Sequence, residues 1–198
     1  MYRLWFLSMF LAAPITSVAA GPALVELTDR LGDTAGAEAE GALKLIAAVR
    51  AAVGAGAVTL DAEATAQLER AQQAWEEARR LAAGREFGPA FKLERKEARP
   101  ALRGAVRGML GGTVPPEVGE AVTAYLESTR DRLAAIDAQI VNYPLTLDAQ
   151  ESHLIGKARW EAAAKSAKKK KWDEAFRLLF DSLTELDKAM LECYPTSR

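Results

Sequence analysis

The sequence predicts an all-α protein built from two copies of a three-helix unit behind an N-terminal signal peptide. Three observations carry that expectation. Apolar residues recur three and four positions apart through most of the chain. No segment alternates apolar and polar residues as a half-buried strand would. Residues 46–62 align without a gap on residues 133–149, and the match resumes after a two-residue deletion.

The chain begins in the basic, apolar, small order of a secretory signal. Arg3 is the sole charge before Glu26. Leu4, Trp5, Phe6, Leu7, Met9, Phe10 and Leu11 form an apolar run, and Val18, Ala19 and Ala20 suit a signal peptidase. The run is short of the roughly 20 apolar residues that a spanning helix needs. Cleavage is expected after Ala20, which makes the protein periplasmic or extracellular. No Cys stands beside the cleavage point to take a bacterial lipid anchor. Residues 21–37 are small and polar, and are expected to form a loose tail once the leader is removed.

Each copy reads as three helices, copy one over 38–112 and copy two over 117–198, with a linker at 113–116. The first helix covers 38–54 in copy one, where Ile46, Val49 and Val53 share a face, and 117–142 in copy two, where Leu133, Ile136 and Ile140 do so. The second starts near Thr59 or Thr146, with a Thr or Asp to accept hydrogen bonds from first-turn N–H groups. Its copy-one seam is Ala64, Leu68, Ala71, Trp75, Ala78 and Ala82, and Gly84 suits its end. The third carries Phe87 and Phe91 in copy one. In copy two its seam is Trp172, Phe176, Leu179, Leu183, Leu186, Met190 and Cys193. Gly111, Gly112, Pro115 and Pro116 separate the copies, and Pro144 breaks the first helix of copy two from its second. Pro100 falls inside the third helix of copy one and is expected to kink or shorten it.

The repeat is carried by more than alanine. Thr59, Leu60, Asp61 and Ala62 return as Thr146, Leu147, Asp148 and Ala149. Trp75 and Glu76 return as Trp160 and Glu161, and Phe87, Ala90 and Phe91 as Trp172, Ala175 and Phe176. Both Trp75 and Trp160 are expected to be buried. In the second and third helices, Ala78, Phe87 and Ala90, and equally Ala163, Trp172 and Ala175, fall at the spacing of a tetratricopeptide-type hairpin. These hairpins resemble that family, and the resemblance implies a protein-binding scaffold. The family stacks hairpins at a period of 34 residues, whereas these lie 85 apart with a third helix between them.

Composition narrows the partners. Lys and Arg number 26 against 27 Asp and Glu, for a formal net charge of −1. Net charge therefore gives no case for nucleic acid, and no segment after the leader is apolar enough to span a bilayer. Cys193 is the sole cysteine. No intramolecular disulfide can form, and the fold must hold by its core. Cys193 either continues the apolar seam or forms an intermolecular disulfide.

Candidate functional residues are few. His153 is the only histidine and lacks a carboxylate at the helical spacing of a metal pair, so a structural, hydrogen-bonded role is expected. No phosphate loop, haem attachment motif or nucleophile elbow is present, and neither metal nor organic cofactor is expected. Lys165, Lys168, Lys169, Lys170 and Lys171 form the densest charge run, where cations complement a helix C-terminus. Lys92, Lys96, Arg99, Arg103 and Arg107 recur at three- and four-residue steps and predict a basic stripe. Both are read first as solvated faces and alternatively as contacts to an anionic surface. Glu94 interrupts the seam where copy two has Leu179: either that seam is exposed or Glu94 pairs with a cation. Copy one is Ala-rich where copy two has Leu and Phe, so its core should be the weaker.

The function expected is that of a non-enzymatic, exported module binding another protein or envelope component. The rivals are a peripheral binder of anionic membranes or polymers, and an enzyme or cofactor carrier with a bundle-core site. The last needs polar residues converging on apolar faces, and only His153 and Glu94 stand out.

Overall fold

The computed structural model describes residues 22–110, 113–142 and 146–193, without the side chains of 22–29, 31, 139–142 and 191–193. Among the described residues the chain is helical, with no strand. Its elements are α1 (Pro22–Gly54), α2 (Ala62–Ala83), α3 (Phe87–Leu93), a π-helical turn (Glu94–Ala98), α4 (Arg99–Leu110), α5 (Pro116–Ser128), α6 (Arg130–Asn142), α7 (Leu147–Lys168) and α8 (Trp172–Cys193). Residues 1–20, expected to be a leader, lie outside the described residues, as do Gly21, Gly111, Gly112 and Pro144 and the side chains of Ile140 and Cys193.

Helix α2 begins where its cap can act: Asp61 Oδ1 accepts from Ala64 N–H at 2.7 Å. Helix α7 begins at Thr146, whose Oγ1 accepts from Ala149 N–H at 3.3 Å. The two hairpin turns close identically. Glu86 N–H donates to Leu81 O and Lys171 N–H to Ser166 O, while Arg85 and Lys170 adopt positive φ of 60° and 57°. This is the six-to-one closure of a Schellman turn. The left-handed residue is the one after Gly84, so Gly84 ends the helix without itself supplying that conformation.

Three expectations need correction. Residues 22–37 are not a loose tail: they are helical and continuous with α1. The reason is burial, since Thr34, Ala35, Glu38 and Ala39 face inward, and Gly32 lets the Phe87 ring lie against the α1 backbone. The 117–142 segment is not one helix. Thr129 interrupts it, turning its N–H and its Oγ1 back to Leu126 O at 3.1 and 2.7 Å. Trp160 Nε1 donates to the same Thr129 Oγ1 at 2.9 Å and pins the break. Pro100 does not shorten its helix, as one of its two expected effects would; it distorts it instead, and the turn ahead of it widens to π geometry. Pro lacks an N–H and its ring crowds the carbonyl four residues back, and a wider turn relieves both.

The main core joins α1, α2, α4, α5, α7 and α8 around Leu45, Ile46, Leu68, Trp75, Leu102, Tyr125, Phe176, Leu179 and Leu183. Trp75 is fully buried and meets Tyr125 edge-on at 6.3 Å, and Tyr125 in turn meets Phe176 and Phe180. Trp160 is only half-buried, between the main core and a smaller cluster of Leu133, Ile136, Leu186 and Met190. The expectation of two equally buried tryptophans therefore holds for Trp75 alone.

Two glycines of α1 should respond oppositely to alanine. A Cβ on Gly41 would stand 2.1 Å from Ser128 Oγ and 3.2 Å from the Tyr125 Cα, against the α5 backbone. Gly41→Ala should cost about 1–3 kcal/mol by overpacking. At Gly36 the nearest atom is Ala82 Cβ at 3.9 Å, an ordinary contact. Gly36→Ala should stabilise by about 0.4–1 kcal/mol, through loss of unfolded-state freedom. Denaturant midpoints of the two variants check both signs.

Candidate functional site

The chemistry-bearing residues gather in the core, away from the basic faces. Glu38 comes from α1, Glu94 from the π turn, Arg99 from α4, Tyr125 from α5, Arg132 from α6 and Asp187 from α8. All six are buried. Arg99 grips Glu38 with two parallel bonds, Nε to Oε1 at 2.7 Å and Nη2 to Oε2 at 2.9 Å, and its Nη1 donates to Asp187 Oδ2. Arg132 Nη1 stands 2.6 Å from Glu38 Oε2 and 3.6 Å from Asp187 Oδ1, and its Nη2 donates to Glu94 Oε2 at 2.9 Å. Tyr125 Oη donates to Glu38 Oε1 at 3.0 Å, Arg132 Nε to Thr34 Oγ1 at 3.4 Å, and the Arg132 guanidinium lies 5.1 Å from the centre of the Phe91 ring.

The cluster holds three carboxyl groups against two guanidiniums. Burial raises the Glu38 carboxyl, but Arg132 and Arg99 beside it, with the Arg99 and Tyr125 hydrogen bonds, outweigh burial and hold it below the usual range. Glu94 is the converse case. Burial pushes it up to about 8; Arg132 pulls it down, the Glu38 charge pushes it up again and Arg99 pulls it down. Its hydrogen bonding agrees, because Glu94 Oε1 has no partner among the described residues. Near neutral pH one carboxyl proton, on Glu94, brings the cluster to zero net charge. Burial and the Glu38 charge both raise the Tyr125 hydroxyl well above its ordinary value, so it stays a donor.

The structure divides the predicted site residues. Arg99 leaves the stripe: it is 4 % exposed and belongs to the cluster. Lys92, Lys96, Arg103 and Arg107 are exposed, as are Lys165, Lys168, Lys169, Lys170 and Lys171 at the turn between α7 and α8. Glu94 pairs with cations, the second of its two expected fates. His153 is buried, its Nε2 3.0 Å from Asp137 Oδ1; burial lowers its pKa, Asp137 opposes and Lys157 adds to the lowering. Glu38, Tyr125, Arg132 and Asp187 were not singled out by sequence. Arg132 and Asp187 sit in ordinary amphipathic helices, and only the interrupted seam at Glu94 pointed inward.

Outside the cluster, a groove of about 580 Å³ runs between α2 and the π turn with α4, walled by Gln67, Arg70, Gln73, Glu77 and Glu97 over Ala74, Leu93, Pro100 and Ala101. A smaller cleft of about 270 Å³ lies between α1 and α6. Helix α7 exposes Leu147, Leu154 and Ile155, at 81, 65 and 36 %. Among the described residues no group of three or more His, Cys, Asp or Glu has the geometry to hold a metal ion, and no helix is long and apolar enough to cross a membrane.

These features define an all-helical bundle with a charged core. Comparison of the chain with protein-family models, curated proteins and solved structures returns no match.

Two substitutions separate the roles within the cluster. Arg99→Leu leaves Glu38 and Asp187 short of a cation and should cost about 3–5 kcal/mol, as for one broken partner of a buried pair. Glu94→Leu removes the carboxyl that exceeds the available cations, and should be near neutral or stabilising at pH 8. Urea unfolding of both variants at that pH checks the contrast.

Proposed function

We propose that this chain is an exported helical-repeat protein that binds another protein of the cell envelope through its outer faces, without catalysis. One observation carries the reading: the polar groups that converge in the core are bound to one another and sealed in, while the groove and the apolar ridge of α7 stay open to solvent. An enzyme or cofactor carrier with a bundle-core site needs convergent polar groups that a ligand can reach. Here the charged side chains are no more than 6 % exposed. Export is supported by the leader pattern of residues 1–20.

Descent from two copies of a three-helix unit is supported by contacts that recur at the offsets of the sequence alignment. Gly32 lies against the Phe87 ring and Gly119 against the Trp172 ring; the glycines are 87 positions apart and the aromatics 85. Gly41 abuts Ser128, and Glu38 is bonded to Tyr125, each again 87 apart. The left-handed Arg85 and Lys170 are 85 apart. Trp160 Nε1 bonds to Thr129; at the position equivalent to Thr129 copy one has Ala42, and Trp75 Nε1 has no partner among the described residues. The π turn fits one extra residue in copy one. Beyond it, buried Ala98, Leu102, Ala105 and Val106 correspond at an offset of 84 to buried Ser182, Leu186, Ala189 and Met190. Such repeats use their outer surfaces for binding partners.

A second reading, contact with an anionic membrane or polymer, is favoured by the nine basic residues that remain exposed. Each Lys or Arg near an anionic membrane surface contributes about 1 kcal/mol. This attraction weakens with salt, because exposed charges are screened over about 8–10 Å.

The mature form should begin at Gly21 on N-terminal sequencing. Ala74→Arg in the groove, or Leu154→Glu with Ile155→Glu on the ridge, should abolish cross-linking to the envelope partner with little change in melting temperature. Unchanged cross-linking in both variants would remove these faces from the proposal. Salt-sensitive sedimentation with anionic vesicles, lost when Lys168, Lys169, Lys170 and Lys171 become Gln, would favour the second reading instead.

A further inference from the structure

The buried cluster joins five helices and the π turn, and it balances its charge only with a proton aboard. Glu38 and Asp187 are engaged by Arg99, and Glu38 also by Arg132 and Tyr125. Glu94 is the least supported of the three carboxyls: one oxygen accepts from Arg132, the other has no partner among the described residues. Arg132 is Glu94's main cation. Its Nε reaches Thr34, and Thr34 lines the cleft of about 270 Å³ between α1 and α6, whose walls also carry Arg30, Asp33 and Asp131. The cleft between α1 and α6 thus ends on a residue bonded to the cluster.

We propose that Glu94 and Arg132, with Glu38, Arg99 and Asp187, form a proton-operated latch that holds α1 and α6 closed over the π turn and lets that seam open locally as the proton is lost. With Glu94 neutral, the two guanidiniums are matched by Glu38 and Asp187 and nothing charged is left over. With Glu94 ionised, one negative charge is in excess in a buried site. Parting α1 from α6 at the cleft then admits solvent to Glu94 and Arg132 while the α7–α8 hairpin stays packed. The charged and titratable groups facing Glu94 are Arg132 from α6, Glu38 from α1, Arg99 from α4, Asp187 from α8 and Tyr125 from α5. Helix α2 presents Arg70 and Glu77 to the groove on the other side of the π turn. The inference rests on the cluster alone and is independent of what the outer faces bind.

The sign follows from proton linkage. Closed, Glu94 keeps its proton to about pH 8; open, it returns toward 4.5. The closed state therefore binds the extra proton between these values, and its advantage is full below 4.5 and lost as pH rises through 8. His153 acts the other way: its lowered pKa makes the fold gain stability as pH rises toward 6.5. Above 6.5 what remains of that contribution is at most about twofold and of opposite sign, so a tenfold rise per pH unit from 6.5 to 8 reports Glu94.

Backbone hydrogen exchange of the full chain, corrected for intrinsic exchange rates, tests the latch. The opening constant of residues 32–52 and of α6 should rise about tenfold per pH unit from 6.5 to 8 and then level off. That of α7 and α8 should stay flat. Glu94→Gln, neutral at every pH, should remove the slope. Should that variant fail to fold, the infrared carbonyl band of a protonated buried carboxyl in the wild type, present at pH 6.5 and lost above 8, serves as the second readout. A pH-independent opening of α1 and α6, an equal slope in every helix, a slope that survives Glu94→Gln, or absence of that band at pH 6.5 would each overturn the proposal.

Discussion

The constraint on which the rest of the structure depends is that five ionisable groups in the middle of the bundle must satisfy one another. Moving a carboxylate or guanidinium out of water costs several kcal/mol even after relaxation, and only close pairing with further hydrogen bonds repays it. That requirement fixes distances among five elements at once. Glu38 sets the position of α1 against α4 through two parallel bonds from Arg99, and α6 is held to α1 and the π turn through Arg132. An apolar core tolerates sliding of one helix on another, because any close-packed arrangement of methyl groups is nearly as good. A bidentate guanidinium does not. In this chain the cluster specifies register, and Trp75, Leu102, Leu179 and Leu183 around it supply the hydrophobic stabilisation.

Most of the helices were legible in the sequence, because their seams repeat at helical spacing and their caps are local. Asp61, Thr146 and Gly84 mark ends that the structure shows. What was not legible depends on long-range partners. The start of α1 is small and polar, and nothing nearby in sequence reveals that Phe87 will lie against Gly32. The break at Thr129 owes its position to Trp160, thirty-one residues away. Arg99 was misassigned for a local reason with a geometric consequence. Extending the helical phase from Lys92 and Lys96 places it on the same face, but helical phase advances by about 100° per residue. One residue absorbed in the π turn rotates everything after it, carrying Arg99 into the core. Arg103 and Arg107 remain exposed on the far side of the turn.

Glu94 shows how far a sequence signal for a buried site reaches. A lone carboxylate interrupting an apolar seam was visible, as was its need for a cation. The identity of the cation was not, since Arg132 is one of several arginines on amphipathic helices and lies 38 residues away. Spacing arguments find partners within one helix, three or four positions apart. A cluster drawn from five helices and a π turn offers no such pattern, and Glu38, Arg132 and Asp187 taken singly look like ordinary surface charges.

The way the cluster is divided between the two halves of the chain bears on how the halves can behave. Glu38, Glu94 and Arg99 come from the first half, and Tyr125, Arg132 and Asp187 from the second. Taken alone, the first half would keep two carboxyls with one guanidinium. The second would keep one of each, with Arg132 losing Glu38 and Glu94, its two closest partners. Separating the halves would part Arg132 from Glu38 and Glu94, and Arg99 from Asp187, so the cluster ties them together. In the alignment of the two segments, Leu179 falls opposite Glu94 and Leu45 opposite Arg132. At these two positions a charge in one segment stands opposite an apolar residue in the other. At the α1–α6 seam the cluster meets the surface cleft through Thr34, which lines the cleft and accepts from Arg132. At α8 it is backed instead by the apolar packing of Leu179, Leu183 and Leu186, all fully buried.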